Sequence, residues 1–342
     1  MYYFLNDYSE GAHPQVLKAL TETNFKQTPG YGLDEFSKAA ANLIKQRVAC
    51  PTAQVHFLTG GTQTNLTALS SWLKPYQAVI APETGHINVH ETGAIEATGH
   101  KILTVATADG KLTPELIQPV LDQHKDEHMV QPKIVFISNS TELGTVYRLD
   151  ELTALYGFCR RNNLYLYLDG ARLGAALTSR NNDLQPEDLP RVTDAFYLGG
   201  TKNGALFGEA LVIVNPLLTE DFRYSIKQRG GLLAKGRLLG VQYLALMQDD
   251  LYLRIALHAN TMACKLQDGL KELGIKFLID SPSNQIFPIF PDEHLKELSK
   301  FAQFEIWAKE DMNHTVVRLV TSWATKEEDV LGFLQKVKAS LK

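Results

Sequence analysis

The middle of the chain alternates short apolar runs with segments of helical spacing. Between several of the runs lie segments such as TPELIQPVLDQHK and DELTALYGFCRRNN, whose apolar residues recur at helical intervals. Strands that alternate with helices predict a mostly parallel sheet covered on both faces. The predicted strands are VHFLT (55–59), QAVIAP (77–82), KILTVAT (101–107), KIVFISNS (133–140), LYLYLD (164–169), DAFYLGG (194–200) and EALVIVN (209–215).

The segments on either side of this region have a different pattern. A short irregular arm comes first, and helices are predicted over 13–24 and 34–49, the second with Asp34 as its N-cap. A long stretch of helical periodicity begins near Leu232, and short strands and a final helix follow it. The sequence therefore predicts an α/β protein with an N-terminal arm (1–12), a large domain (13–240) and a smaller α+β C-terminal domain (241–342).

Composition narrows the class of protein. The 342 residues are 44% hydrophobic and 21% charged, which is typical of globular proteins. Lys and Arg total 34 against 38 Asp and Glu, so no strong field favours nucleic acid or a membrane surface. The N-terminal residues do not resemble a signal peptide, and no apolar run is long enough to cross a bilayer. Three widely spaced cysteines indicate a reducing compartment, so we expect a cytoplasmic protein without a metal site.

Lys202 is the residue whose position most needs explaining. It lies in YLGGTKNGALFGEALVIV (197–214), where Glu209 is the only other side chain charged at neutral pH. A lysine in such a segment usually extends into solvent from a turn. The alternative is an amine kept in an apolar site for chemistry.

Three other segments place polar or glycine residues at predicted strand ends. LTGGTQTN (58–65) predicts a glycine turn before a helix, which could bind an anion, although most such turns bind nothing. It matches neither the Walker nor the dinucleotide-binding pattern. In LDGARLG, Asp169 could instead cap the next helix, with Arg172 as its surface partner. In GHINVHETGA (85–94), His86 could equally be a loop histidine with satisfied hydrogen bonds.

Together the four segments fit one cofactor, pyridoxal phosphate. This cofactor needs a phosphate cradle, a plate over its ring, a carboxylate at its ring nitrogen and a lysine for a Schiff base. Asp169 and Lys202 each end a predicted strand, so both could point into one crevice. An apolar site would also lower the pKa of a reactive lysine.

The chain resembles the L-threonine aldolases, in the β-eliminating lyase group of aspartate-aminotransferase-like (fold type I) enzymes. The likeness covers nearly the whole chain, through NDYSEGAHP, PGYGLDEFS, TGGTQTN, the His86 segment, LDGARLG, GGTKNGA and VRLVTSWAT. The resemblance implies a Schiff base at Lys202, Asp169 at the ring nitrogen and His86 on the ring. It also implies a phosphate site made of Gly61, Thr62 and Thr201.

The same resemblance implies the residues that bind the substrate. Arg172, which also belongs to the cofactor site, and Arg318 would bind the substrate carboxylate, as bidentate guanidinium groups do. Tyr31 would reach the pocket from a neighbouring subunit. Two positions depart from the family pattern, because Asn6 stands where a Ser is usual and Glu142 lies where relatives carry a pocket His. We expect Asn6 and Glu142 to contact the substrate.

The expected activity is cleavage of L-threonine-like or L-allo-threonine-like β-hydroxy amino acids to glycine and an aldehyde. The alternatives are β-elimination or transamination with the same cofactor, or a catalytically silent relative. The expected partners are an amino acid and other copies of the chain, in a homodimer or homotetramer. The basic loop SIKQRGGLLAKGR (225–237) would then lie beside a neighbour's phosphate, through Lys227, Arg229 and Lys235.

Overall fold

A seven-stranded sheet is the central element of the computed structural model, which describes residues 1–341. The strands of the whole chain are β1 (Tyr2–Tyr3), β2 (Gln54–Leu58), β3 (Gln77–Pro82), β4 (Lys101–Val105), β5 (Gln131–Ser138), β6 (Tyr165–Asp169), β7 (Ala195–Gly199), β8 (Glu209–Ile213), β9 (Lys276–Phe277), β10 (Gln285–Ile286), β11 (Pro288–Pro291), β12 (Ala302–Gln303), β13 (Glu305–Lys309) and β14 (His314–Val320). The central sheet has the order β2-β8-β7-β6-β5-β3-β4. Only β8 runs against the other six strands. The prediction of a mostly parallel sheet is confirmed.

Helices cover both faces of this sheet. The helices of the chain are α1 (Pro14–Thr23), α2 (Glu35–Arg47), α3 (Gly61–Trp72), α4 (His86–Val89), α5 (Pro114–Gln123), α6 (Leu149–Arg161), α7 (Leu173–Leu177), α8 (Leu189–Val192), α9 (Phe222–Gln228), α10 (Arg237–Met247), α11 (Leu251–Glu272), α12 (Asp292–Leu298) and α13 (Glu327–Ser340), of which α12 and α13 pack against the C-terminal sheet instead. Successive residues of a strand face opposite sides, so Ile80 and Val79 enter different cores. Burial on both faces explains why these strands are almost wholly apolar.

The C-terminal part of the chain forms a separate antiparallel sheet. Strands β10, β11 and β13 pair with β14, and β9 pairs with β11. Its core is built with α11 and α13, and Phe4 of the N-terminal arm is buried in it. The arm also adds β1 in parallel to β12. Helix α10 spans the expected boundary at residue 240, so the division into 1–12, 13–240 and 241–342 stays a prediction.

The structure differs from the sequence-based expectations at three places. Helix α3 begins at Gly61, so most of GGTQTN is helical rather than a turn before the helix. The long helical stretch is broken into α10 and α11, because Asp249 and Asp250 adopt positive φ angles of 49° and 55°. The arm predicted as irregular contains β1. No helix within residues 1–341 is long and apolar enough to cross a membrane.

Close packing between β6 and β7 fixes the turn that directly follows Asp169, the last residue of β6. Gly170 follows this carboxylate, and its carbonyl accepts the N–H of Gly199 at 2.9 Å. A Cβ at position 170 would overlap the carbonyl oxygen of Tyr197 and lie 2.9 Å from its carbonyl carbon. Both obstacles are backbone atoms, so only glycine fits here without separating the two strands.

We therefore expect Gly170→Ala to destabilise the protein by at least ~1–3 kcal/mol, the usual cost of overpacking. Thermal unfolding measures this as a lowered Tm. Gly11→Ala is the matched control, because a Cβ at Gly11 meets no atom within 4 Å. Equal Tm values for the two variants would contradict the packing argument.

Candidate active site

A cavity of about 660 Å³ opens at the carboxyl ends of the central strands. Of the residues predicted for the site, only Tyr31 does not line it. Those that do are Asn6, Gly61, Thr62, His86, Glu142, Asp169, Arg172, Thr201, Lys202 and Arg318. Segments far apart in the sequence meet here because parallel strands end at one edge of the sheet. The arm and β14 of the C-terminal sheet close the other side.

Lys202 lies in the turn between β7 and β8, with its side chain directed into this cavity. The turn is tight at Gly200, where a Cβ would lie 2.7 Å from both the Gly208 carbonyl oxygen and the Tyr243 hydroxyl. The Lys202 Nζ is 6.0 Å from the centroid of the Tyr8 ring and forms no ion pair within residues 1–341. Burial and the nearby Arg172 charge lower the pKa of Lys202. A buried amine with a lowered pKa is suited to nucleophilic chemistry.

Asp169 is held by three hydrogen-bond donors at the end of β6. Its Oδ1 accepts the Tyr197 hydroxyl at 2.5 Å and the Ala171 N–H at 3.0 Å. Its Oδ2 accepts the Asn65 amide at 3.0 Å. The alternative of Asp169 as a cap with Arg172 as its partner does not apply, because α7 has no side-chain cap and Arg172 pairs elsewhere. Three donors fix the position and orientation of this carboxylate.

The two predicted arginines both have acidic partners. Arg172 binds Asp7 in a bidentate pair, with Nε and Nη2 at 2.8 and 3.0 Å from the carboxylate oxygens. Burial would raise the pKa of Asp7, but the charges of Arg172 and Lys202 lower it below its ordinary value. Arg318 pairs with Glu305 and lies 5.4 Å from the centre of the Trp307 ring. Burial and the Arg172 charge lower the pKa of Arg318.

The beginning of α3 offers backbone donors to the cavity. Gly60 is its N-cap and supplies no side-chain hydrogen bond. Within residues 1–341 the N–H groups of Gly61, Thr62 and Gln63 have no acceptor, as expected for a first helical turn. The Thr201 hydroxyl, by contrast, donates to Glu209 at 2.8 Å and accepts the Gly208 N–H at 3.0 Å. An anion bound here would therefore receive hydrogen bonds mainly from the backbone N–H groups at the start of α3 and not from the Thr201 hydroxyl.

Glu209 is a buried carboxylate at the start of β8. Besides the Thr201 hydroxyl, it accepts the Gly200 N–H at 3.0 Å, so it ties together the turn that carries Lys202. Burial raises the pKa of Glu209 to about 8, although the Thr201 hydrogen bond and the Lys202 charge oppose this rise. Burial thus favours the neutral form of this carboxyl more than in water.

His86 and Glu142 are joined through the backbone. The Glu142 Oε1 accepts the His86 N–H at 3.1 Å and the Ser138 hydroxyl at 2.8 Å. Its Oε2 is buried without a partner among residues 1–341. Burial and the Asp169 charge raise the pKa of Glu142, against the opposing Ser138 hydrogen bond. Glu142 thus lines the cavity while one of its oxygens holds the His86 backbone and the other is buried without a partner in the described residues.

Two predicted residues are placed differently from the rest. The Asn6 side-chain oxygen already accepts the Tyr8 N–H at 3.0 Å and the Ser9 hydroxyl at 2.9 Å, so only its amide nitrogen is free for a ligand. Tyr31 lies away from its own chain's cavity and is 44% exposed. Its ring centroid is 4.6 Å from the Lys227 Nζ.

Several groups of the site were not predicted as site residues from the sequence. His90, Tyr8, Glu305 and Glu209 line the cavity, while Asp7, Asn65 and Glu91 bind residues that do. Glu91 was visible as the acidic residue of GHINVHETGA, and Asn65 ends TGGTQTN. The pairing of Asp7 with Arg172 spans 165 positions and has no local signal.

Comparison with known proteins agrees with the geometry. Residues 13–290 match the family described as beta-eliminating lyase. A low specificity L-threonine aldolase of Pseudomonas aeruginosa is 34% identical over 287 residues, which is 83% of each chain. Another, of a Pseudomonas species, is 33% identical over 340 residues, or 98% of this chain and 97% of that protein.

Solved structures give the same result. A threonine aldolase structure from Leishmania major superposes with a TM-score of 0.99 at 46% identity, covering 100% of both chains. An aspartate aminotransferase from Thermus thermophilus superposes with a TM-score of 0.73 at 16% identity, over 99% of this chain and 91% of that one. The second likeness shows the fold, and the predicted aspartate-aminotransferase-like (fold type I) class is confirmed. The resemblance in sequence motifs is confirmed as well, and the chain belongs to the L-threonine aldolases of the beta-eliminating lyase family.

Proposed function

We propose that this chain is a pyridoxal-phosphate-dependent lyase that cleaves β-hydroxy amino acids such as L-threonine and L-allo-threonine to glycine and an aldehyde. The observation that carries the proposal is the meeting of Lys202 and Asp169 in one cavity beside two arginines. The threonine aldolases to which the chain is similar support the choice of substrate.

The residues around the cavity fit this cofactor. The uncommitted N–H groups at the start of α3 suit a phosphate, through Gly61 and Thr62, with Thr201 next to them. Asp169 would face the ring nitrogen, His86 and Lys202 would contact the ring, and Arg172 would complete the site. When bound, the cofactor supplies a sink for the electrons released as a bond to the substrate α-carbon breaks.

The protein's own groups supply binding and orientation. Arg172 uses Nε and Nη2 on Asp7, which leaves its Nη1 for a substrate carboxylate. Arg318 would contribute from the opposite side, with its position fixed by Glu305 and Trp307. A carboxylate held at a fixed position orients the α-carbon bonds, and the orientation decides which bond breaks. Asn6 and Tyr31 remain proposed substrate contacts.

Cleavage also needs an acceptor for the β-hydroxyl proton. We propose Glu142, because its Oε2 is buried at the cavity with no other partner among the described residues. Its raised pKa brings it closer to neutrality than an ordinary carboxylate, which suits a general base. The alternative acceptor is a water bound to His86.

We further propose a homodimer or homotetramer in which neighbouring chains complete each other's sites. Tyr31 and the basic loop lie outside the cavity of their own chain. The same face exposes large apolar side chains, with Phe25 94%, Leu33 52% and Tyr224 78% exposed, as an interface would. Three unpaired cysteines support a reducing compartment, and we propose the cytoplasm.

The purified protein should bind pyridoxal phosphate covalently at Lys202 and release glycine and an aldehyde from L-threonine. Borohydride reduction and peptide mapping locate the bound group, while product analysis identifies the reaction. Lys202→Ala should lose the cofactor's absorbance band and the activity. Lys300→Ala, which alters a surface lysine paired with Glu297, should retain both.

Any other result of the labelling or of the product analysis would refute part of this proposal. Labelling of a different lysine would refute the role of Lys202. Pyruvate with ammonia would indicate β-elimination, and a keto acid that needs an acceptor would indicate transamination. A protein that binds no cofactor and turns over none of a panel of β-hydroxy amino acids would be a silent relative.

Glu142→Gln tests the proton acceptor, because glutamine can still accept the His86 N–H but carries no charge. We expect the cleavage rate to fall by roughly 10²-fold or more, with cofactor absorbance and amino-acid binding kept. The wild-type rate should fall as the pH drops through the raised pKa of Glu142, since a base must be ionised, and this acidic limb should vanish in the variant. Glu187→Gln, at an exposed position, is the control. Unchanged turnover would favour the His86-bound water.

Mixed oligomers test the shared site. Lys202→Ala and Arg229→Ala are each expected to be inactive, for lack of the amine and of the neighbour's cation respectively. A hybrid of the two contains one site with both residues intact, so mixing should restore partial activity. Chain exchange is verified with differently tagged variants. Exchange without any recovery would refute a shared site.

A further inference from the structure

Glu91 is a buried carboxylate near the cavity that the proposed chemistry leaves without a role. Its side chain is 0% exposed, and its Oε1 lies 2.8 Å from the His86 Nδ1 and 2.8 Å from the Asn65 Nδ2. Its Oε2 has no partner among residues 1–341. Burying a carboxylate is costly unless donors meet it. Glu91 therefore needs both contacts.

The direction of these hydrogen bonds is fixed by Asn65. One Asn65 amide atom contacts an oxygen of Glu91 and an oxygen of Asp169, both acceptors, so that atom is the nitrogen. The Tyr167 hydroxyl then donates to the other atom, Oδ1, at 3.0 Å. The Nδ2 then donates one hydrogen to Glu91 and the other to Asp169 at 3.0 Å. The Asn65 amide thus links Glu91, the partner of His86, to Asp169, the carboxylate proposed to face the ring nitrogen of the cofactor.

We propose that Glu91 is a positioning residue that keeps the hydrogen of the neutral His86 ring on Nδ1. An ionised carboxylate only accepts hydrogen bonds, so the His86 nitrogen that faces it must donate. The other ring nitrogen, Nε2, is then an acceptor for a cofactor, substrate or water in the cavity. Glu142 accepts the His86 backbone N–H at the same time, so His86 is held both at its backbone and at one ring nitrogen.

This inference rests on the proposed function only for its effect on the rate. A histidine with an unprotonated Nε2 can take a proton through water, whereas one with a hydrogen there cannot. The assignment of the hydrogen itself concerns the folded protein and is tested without turnover. A failure of the aldolase proposal would leave the tautomer measurement intact.

Nitrogen-15 NMR of protein labelled at histidine distinguishes the tautomers, and His86→Asn identifies the His86 signals. The wild-type protein should show a protonated-type shift at Nδ1 and an unprotonated-type shift at Nε2. In Glu91→Leu, no oxygen remains to accept the Nδ1 hydrogen, so this hydrogen should move at least in part to Nε2 and both shifts should change. Glu96→Leu, at an exposed position five residues further on, should leave them unchanged.

The same variants connect the tautomer to catalysis. Glu91→Leu should lower kcat by at least ~10-fold with little change in KM, while Glu96→Leu should behave as wild type. A wild-type spectrum with the hydrogen on Nε2 would overturn the proposal even if the variant failed to fold. Unchanged shifts in a folded Glu91→Leu protein, or changed shifts with an unchanged kcat, would overturn it too.

Discussion

Burial of charge around a single cavity is the constraint on which the site depends. Charged groups taken out of water must be paired, given hydrogen-bond donors or neutralised. The cations Lys202, Arg172 and Arg318 line the cavity. Five carboxylates that lie in or next to the cavity, each less than a tenth exposed, are Asp7, Glu91, Glu142, Asp169 and Glu209.

The carboxylates meet this constraint in different ways. Asp7 has a full partner in Arg172, and Asp169 has three neutral donors. Glu142 and Glu209 have fewer donors than buried negative charge requires, and the pKa of each is raised. The site thus combines Asp7, whose pKa is lowered, with Glu142 and Glu209, whose pKa values are raised. This separation is what acid–base chemistry at one place requires.

The need to pair buried charges also holds distant segments of the chain together. Asp7 comes from the arm, Arg172 follows β6, and Asn284, which donates to Asp7 at 2.9 Å, precedes β10. The arm is fixed by β1 and by the buried Phe4. Displacing the arm would leave Arg172 buried without its acid. The position of the arm is therefore part of the geometry of the site, although no arm residue is proposed to react.

The sequence predicted what depends on local pattern. Apolar strands buried on both faces have a strong signal, and so do residues at strand ends such as Asp169 and Lys202. The short strands β9 and β12 have two residues each, too few for any periodicity. Asp7 meets Arg172 across 165 positions of the chain, and Arg318 meets Glu305 across the neighbouring strands β14 and β13. Both contacts depend on how the chain folds and have no local signal. The sequence predicted that Arg318 belongs to the site, but it did not predict the pairing of Arg318 with Glu305.

Glu209 shows how the constraint bears on the proposed anion site. The Thr201 hydroxyl gives its hydrogen to Glu209 and its lone pair to the Gly208 N–H, so it has little left for a phosphate. An ionised Glu209 close to a phosphate would also repel it, and burial, which raises the pKa of this carboxyl to about 8, weakens that repulsion by favouring the neutral form. The backbone N–H groups of α3 are then the main donors left for the anion. Burial of the carboxyl that organises the Lys202 turn thus favours a phosphate beside it.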